Sequence, residues 1–218
     1  MPSSLLLISS QRKARSEARL VSEGVPVNSN LPVIEHDGEV TCRTTEAVAW
    51  RAMALLVVAA KGEGVEQAVV DGLVSDHLLE ARFTPDEVAF LEEQPPKVHS
   101  CIQFSWRYEA AWALLWALGF VEALGEPFET CDVPRAFSFM LERTPAQFVA
   151  EAKLRPLGEI LDEADLIYRY HWAVVDAGIN DQPAPASVNS GVVKERHYAL
   201  NWLIGYMDQE WDDVTTDT

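Results

Sequence analysis

The sequence predicts an all-α fold. Apolar residues recur at the three- and four-residue spacing of a helix face, and the apolar segments end at caps, glycines and prolines with short connectors between them. No convincing run of strands interrupts them; residues 25–42 alternate only loosely and leave room for at most a short β-hairpin. The 218 residues, 48% of them hydrophobic, suffice for one compact domain, taken as 1–218.

Each element has a local cause. Ser10 to Glu23 reads as a helix, opened by a serine and closed by Gly24. Pro26 and Pro32 force the following stretch to be extended, with a turn at His36-Asp37-Gly38-Glu39. Thr44 or Thr45 caps a helix that runs to about Lys61 and stops at Gly62 and Gly64. Glu66 to about Ala81 is helical but weakened by Gly72. Thr84-Pro85-Asp86-Glu87 is the sharpest signal: a cap, proline at the first helical position, and glutamate three residues after the cap. Ser100–Phe120 is the central apolar helix, and Val133–Glu142 and the segment after Thr144-Pro145 are shorter ones. Pro156 opens a long helix ending near Gly178. Residues 179–191, polar and broken by prolines, form a flexible loop, and Val192–Met207 is the last helix.

Composition excludes several functions. A net charge of −17 repels phosphate backbones, so no nucleic acid is expected as a partner. The acidity is concentrated: residues 61–93 carry nine carboxylates against Lys61 and Arg82. One mildly basic helix holds Arg12, Lys13, Arg15 and Arg19. The longest apolar runs, Ala47–Ala60 and Ala110–Val121, are shorter than the roughly 20 residues a bilayer requires, so no membrane span is expected. Leu5–Ile8 precedes its basic residues, the wrong order for a secretory signal. Cys42, Cys101 and Cys131 are odd in number and far apart, which suits a reducing cytoplasm and suggests neither a zinc knuckle nor a redox pair. Metal-ligand spacings, phosphate loops, dinucleotide fingerprints and nucleophile elbows are all missing, so no metal and no cofactor is expected and no catalytic residue is assigned.

What remains is a set of formal charges inside apolar helices. At about 100° per residue, Arg107 shares a face with Ala111 and Leu114, while Glu109 shares one with Trp112 and Trp116. Arg107 and Glu109 therefore point apart, and each needs a partner on another helix. Arg51, Glu195 and Arg196 interrupt apolar surfaces in the same way. Asp165 and Arg169 stand one turn apart and can bridge within their helix. His171 lies on the core face of that helix, and Trp106, Trp172 and Trp202 are candidate walls. A charge in such a setting is costly unless paired and hydrogen-bonded. Three readings stay open: a lattice of ion pairs that registers the helices, a pocket whose arginines hold an anion, or a catalytic group using Glu109, Glu195 or His171 as base.

These residues also carry a resemblance. Arg12-Lys13, Gly24-Val25-Pro26, Leu31-Pro32 and Glu46…Trp50-Arg51-Ala52 lie in the N-terminal part. Trp106-Arg107-Tyr108-Glu109-Ala110…Leu115-Trp116-Ala117-Leu118-Gly119 and Cys131-Asp132 lie in the middle. Leu154-Arg155, Asp165 to Ala173, Val193-Lys194-Glu195-Arg196…Asn201-Trp202-Leu203 and Trp211-Asp212-Asp213-Val214 lie toward the C-terminus. Taken in order, they resemble the bacterial "domain of unknown function 4272" family. That resemblance implies one domain in a bacterial cytoplasm and brings no assigned activity.

Two functions are therefore expected. The first is a non-catalytic binding or interaction protein that turns its acidic surface toward a basic protein partner. The second is a site for a small anionic ligand, enzymatic or not, between helices 100–120, 156–178 and 192–207 and under the 179–191 loop.

Overall fold

A single buried helix organises the molecule. The computed structural model describes the backbone of residues 2–218 and the side chains from Leu7 onward; Met1 and the side chains of residues 2–6, including Leu5 and Leu6, lie outside it. The helices are α1 (Pro2–Ser22), α2 (Thr45–Gly62), α3 (Gln67–Asp76), α4 (Pro85–Glu92), α5 (Val98–Ser105), α6 (Arg107–Ala117), α7 (Val133–Leu141), α8 (Pro145–Glu151), α9 (Leu157–Ile179) and α10 (Ser190–Leu203). Short 3-10 turns occupy Pro185–Ser187, Tyr206–Asp208 and Trp211–Asp213.

In α2, every residue from Arg51 to Lys61 is buried, so this helix is enclosed on all sides. It packs against α6, α5, α3 and α4, and also against α7 and α8. The layers continue outward as α10 on α6, α9 on α10, and α1 on α9. The buried apolar side chains, from Leu20 to Val214, form one continuous core. Gly62 lets α5 close on the end of α2: a Cβ there would stand 2.5 Å from the Ser105 nitrogen and 2.9 Å from the Cys101 oxygen.

The fold is all-α, with no strand among the described residues. The predicted turn does form, Glu39 N–H donating to the His36 carbonyl at 2.8 Å, but no strand pair leads into it. Side chains take the place of a ladder here. Lys13 Nζ donates to the Ser29 and Leu31 carbonyls, and Arg169 donates to the Pro32 carbonyl. The 100–120 helix is two helices, joined at Trp106, so that α5 can lie at Gly62 while α6 runs along α2. The third helix is shorter than its pattern, ending at Asp76, and the first is longer, reaching back to Pro2. The 179–191 segment contains a 3-10 turn and closes on Asn189, whose side chain caps α10 at Gly191 and Val192. Among the described residues, no helix is long and apolar enough to cross a membrane.

The connection from residue 119 to 132 is irregular, and its carbonyls need partners. Arg155 donates to the carbonyls of Trp116, Val121 and Glu122 at 2.8–2.9 Å. Arg196, 2% exposed, donates to Leu124 and Gly125. Glu109 closes the far end by accepting from the Cys131 N–H at 2.6 Å. Lys61 performs the same task after α4, donating to the Leu91 and Glu93 carbonyls from a site that is 3% exposed.

Between α9 and α10, His171 and His197 meet Nδ1 to Nδ1 at 2.8 Å, both buried. Only one proton fits between those nitrogens, so the two rings cannot both be charged, and burial disfavours charging either. Burial pushes His171 down to about 4, helped by Lys194, and His197 down to about 3, helped by His171. The unfolded chain binds these protons near the ordinary pKa of about 6.5, and the native state does not. Stability from this pair is thus full above that value and is lost as pH falls toward 4. Urea unfolding at pH 7 and pH 5 should show the native protein losing up to about 2 kcal/mol per imidazole from this source. The doubly substituted His171→Leu, His197→Leu protein should lose correspondingly less between the same two pH values.

Candidate functional site

The charged residues picked out by helical geometry fall into separate places. Arg51 of α2 reaches Glu87 of α4 at 2.5 Å, with both side chains buried. Glu87 is also the third residue of the α4 capping box: its Oε2 accepts from the Thr84 N–H at 2.9 Å while Thr84 Oγ1 accepts from the Glu87 N–H. One carboxylate therefore both starts a helix and neutralises a buried guanidinium. Arg107, at the start of α6, donates to Glu195 of α10 at 3.0 Å. Burial pushes the Glu195 carboxyl up, and the Arg107 guanidinium pulls it back.

Glu87 and the Arg107–Glu195 pair border a cleft of about 350 Å3 between α4, the α5–α6 junction, α10 and the 3-10 turn at Trp211–Asp213. Its aromatic walls are Phe104, Trp106, Tyr198 and Trp211. Arg107 lies 4.5 Å from the Tyr198 ring centre and 5.7 Å from that of Trp211, and Arg51 lies 5.2 Å from Trp211, so cations already rest on these faces. The Tyr198 hydroxyl donates to the Trp211 carbonyl, which pins the 3-10 turn to α10, and burial raises the phenol to about 12. Trp106 packs on the first turn of α10, where a Cβ on Gly191 would collide with the indole. At the mouth, the Asp86 N–H donates to Asp212 Oδ2 at 3.3 Å. The Asp212 carboxylate thus rests on the first turn of α4, and neither it nor the Asp86 carboxylate has an ion-pair partner among the described residues. Lys194 and Gln103 complete the rim.

Of the residues expected at a site, Trp106, Arg107 and Glu195 line this cleft and Arg51 stands behind it. Trp202 is buried, its ring 5.3 Å from Trp211 with Arg43 5.5 Å above it, and with Arg51 it lines a separate, shallower concavity beside Trp50 and Arg82. Glu109 and Arg196 do not pair through a hydrogen bond; each holds backbone of the 119–132 connection, as described above. Asp165 and Arg169 bridge at 2.7 Å within α9, facing α1, where Glu17 approaches Arg169 at 3.7 Å. His171 pairs with His197, and Trp172 is half-buried against the core. The cleft is not between the three expected helices: α9 contributes nothing to it, and of the 179–191 segment only Gly191 reaches it. Asp86, Glu87, Phe104, Tyr198, Trp211 and Asp212 were not singled out as site residues from sequence. The Thr84–Glu87 cap was the one usable signal, because a capping glutamate has a second oxygen free to take a cation. No group of three histidine, cysteine or carboxylate side chains converges to hold a metal ion among the described residues.

The family described as "Domain of unknown function (DUF4272)" matches residues 12–214 of the 218. The chain belongs to this family. The matched span contains every residue of the cleft, so the site lies inside the family's domain. No curated protein and no solved structure matches the chain.

The Arg107–Glu195 pair gives the site a stability signature. Glu195 has no hydrogen-bond partner for its carboxylate other than Arg107 among the described residues. Arg107→Ala should therefore destabilise by about 3 kcal/mol, the lower part of the range for stranding a buried charge, because Arg107 keeps some solvent contact. For a chain of this length that is a fall of roughly 6–12 °C in Tm. Arg107→Lys, keeping the charge but losing the planar fork, should fall between the two in a thermal melt.

Proposed function

We propose that this protein is a non-catalytic binding module whose cleft between α4, α5–α6 and α10 receives a cationic side chain from a basic protein partner. The observation that carries this reading is the Asp86–Asp212 pair. Both acids line an aromatic-walled cleft and neither is in an ion pair among the described residues, while Glu87 and Glu195 already have their arginines. A guanidinium or ammonium group entering there would offset both charges and lie against the aromatic wall, as Arg51 does on Trp211 and Arg107 does on Tyr198 and Trp211. A net charge of −17 steers a basic partner toward the protein and an anion away from it. The three unpaired cysteines suit the reducing bacterial cytoplasm in which we place it.

Titration of the full chain with an arginine-rich peptide, followed by tryptophan fluorescence at low and high salt, tests this. Binding is expected, weakening as salt rises. In the Asp86→Asn, Asp212→Asn variant it should weaken about tenfold, roughly 1.4 kcal/mol. Unchanged affinity in that variant, or preferential binding of phosphate over the peptide, overturns the reading.

A further inference from the structure

A second concavity, of about 320 Å3, opens on the other side of α10, between the extended 32–35 segment, α9 and the residues that follow α10. Its position and lining are independent of the cleft, and nothing in the reading above bears on it.

Its chemistry is specific. His197 lines the pocket while being 3% exposed. Its Nδ1 is held by His171, and its Nε2 has no hydrogen-bond partner among the described residues. The hydroxyls of Tyr168 and Tyr206, both lining residues, also make no hydrogen bond among the described residues, and the Tyr168 ring leans on His197 with centres 5.9 Å apart. Asn201, another lining residue, uses its amide nitrogen on the Thr215 carbonyl, and its side-chain oxygen makes no hydrogen bond among the described residues. The backbone of Val33, Ile34 and Glu35 forms one wall without any hydrogen bond among the described residues. Two carboxylates, Glu35 and Asp217, stand at the rim, neither in an ion pair among the described residues, and both act electrostatically on Tyr206. No lysine or arginine lines the pocket. Arg169, beside Tyr168, is consumed by Asp165 and the Pro32 carbonyl.

Unused acceptors, aromatic faces and two carboxylates without a cation define the complementary ligand. We propose that this pocket binds a small organic cation, its ammonium group between Glu35 and Asp217, its flat body against Tyr168 and Tyr206, and a hydroxyl or amine at its inner end on His197 Nε2. A pocket of this volume takes about ten non-hydrogen atoms at the roughly 30 Å3 that a small molecule's atoms share in a liquid.

Tyramine has that size and chemistry, and two analogues of the same shape isolate the charge: tyrosol is neutral and 4-hydroxyphenylacetate is anionic. The three are titrated into the full-length protein while the His197 ring resonances are followed by NMR. Tyramine should move those resonances with a Kd on the order of 1 mM, as expected for a ligand of this size. Tyrosol should bind about tenfold more weakly and 4-hydroxyphenylacetate more weakly still. The Glu35→Gln, Asp217→Asn protein, changed only at the rim, should bind tyramine and tyrosol equally, whereas the Asp86→Asn, Asp212→Asn protein should retain the preference. The proposal is overturned if tyramine at about 10 mM leaves the His197 signals in place. It is equally overturned if tyrosol matches tyramine on the unmodified protein, or if the rim variant keeps the preference.

Discussion

Buried and half-buried cations bound to backbone carbonyls are the interaction on which this structure depends. A helical protein satisfies most of its peptide groups within helices, but this one has long irregular connections lying against its core. Several have a guanidinium or ammonium group inserted from a neighbouring helix or connection. Arg155 and Arg196 hold 119–125, Lys61 holds the exit of α4, Lys13 and Arg169 hold 29–32, and Arg43 holds the Trp202 and Gln209 carbonyls. A carbonyl left without such a donor costs about 1–3 kcal/mol, so each multi-carbonyl clamp outweighs a typical surface ion pair several-fold. The planar fork of arginine suits the task because one group can reach two or three oxygens at once.

The true ion pairs have a different distribution. Arg51–Glu87, Arg107–Glu195 and Asp165–Arg169 each join or brace helices close to the core. A buried pair contributes little net stability against an apolar replacement, but losing one partner is costly. Such pairs therefore fix the positions of α4 and α10 relative to α2 and α6. The cleft inherits its shape from this: Glu87 and Glu195 are neutralised within the protein, while Asp86 and Asp212 have no ion-pair partner among the described residues.

The helical periodicity and the capping signals revealed the fold class and most helix positions, because both are local properties of the chain. Thr84 and Thr144 cap as their sequences predict, with both capping boxes formed. The break at Trp106 was not legible, since no glycine or proline marks it; it follows from where α2 and α10 sit. The same limit applies to partners. Helical angles correctly set Arg107 and Glu109 on different faces and placed Asp165 beside Arg169, yet could not distinguish a carboxylate partner from a carbonyl. Arg196 and Glu109 therefore look like members of an ion-pair lattice in sequence and act as backbone clamps in the fold. His197 has no sequence signal at all, because its partner His171 lies 26 residues away on another helix.

The clamp at Arg155 tests this dependence most directly, because three carbonyls rest on one half-buried side chain, whose guanidinium lies 5.0 Å from the Trp116 ring centre. Hydrogen exchange read by mass spectrometry on the Arg155→Met protein would resolve it. Peptides covering 119–132 should exchange about tenfold faster or more, while those from α2 and α10 keep their protection. Unchanged exchange across 119–132 would contradict the claim that inserted cations hold the irregular chain in place.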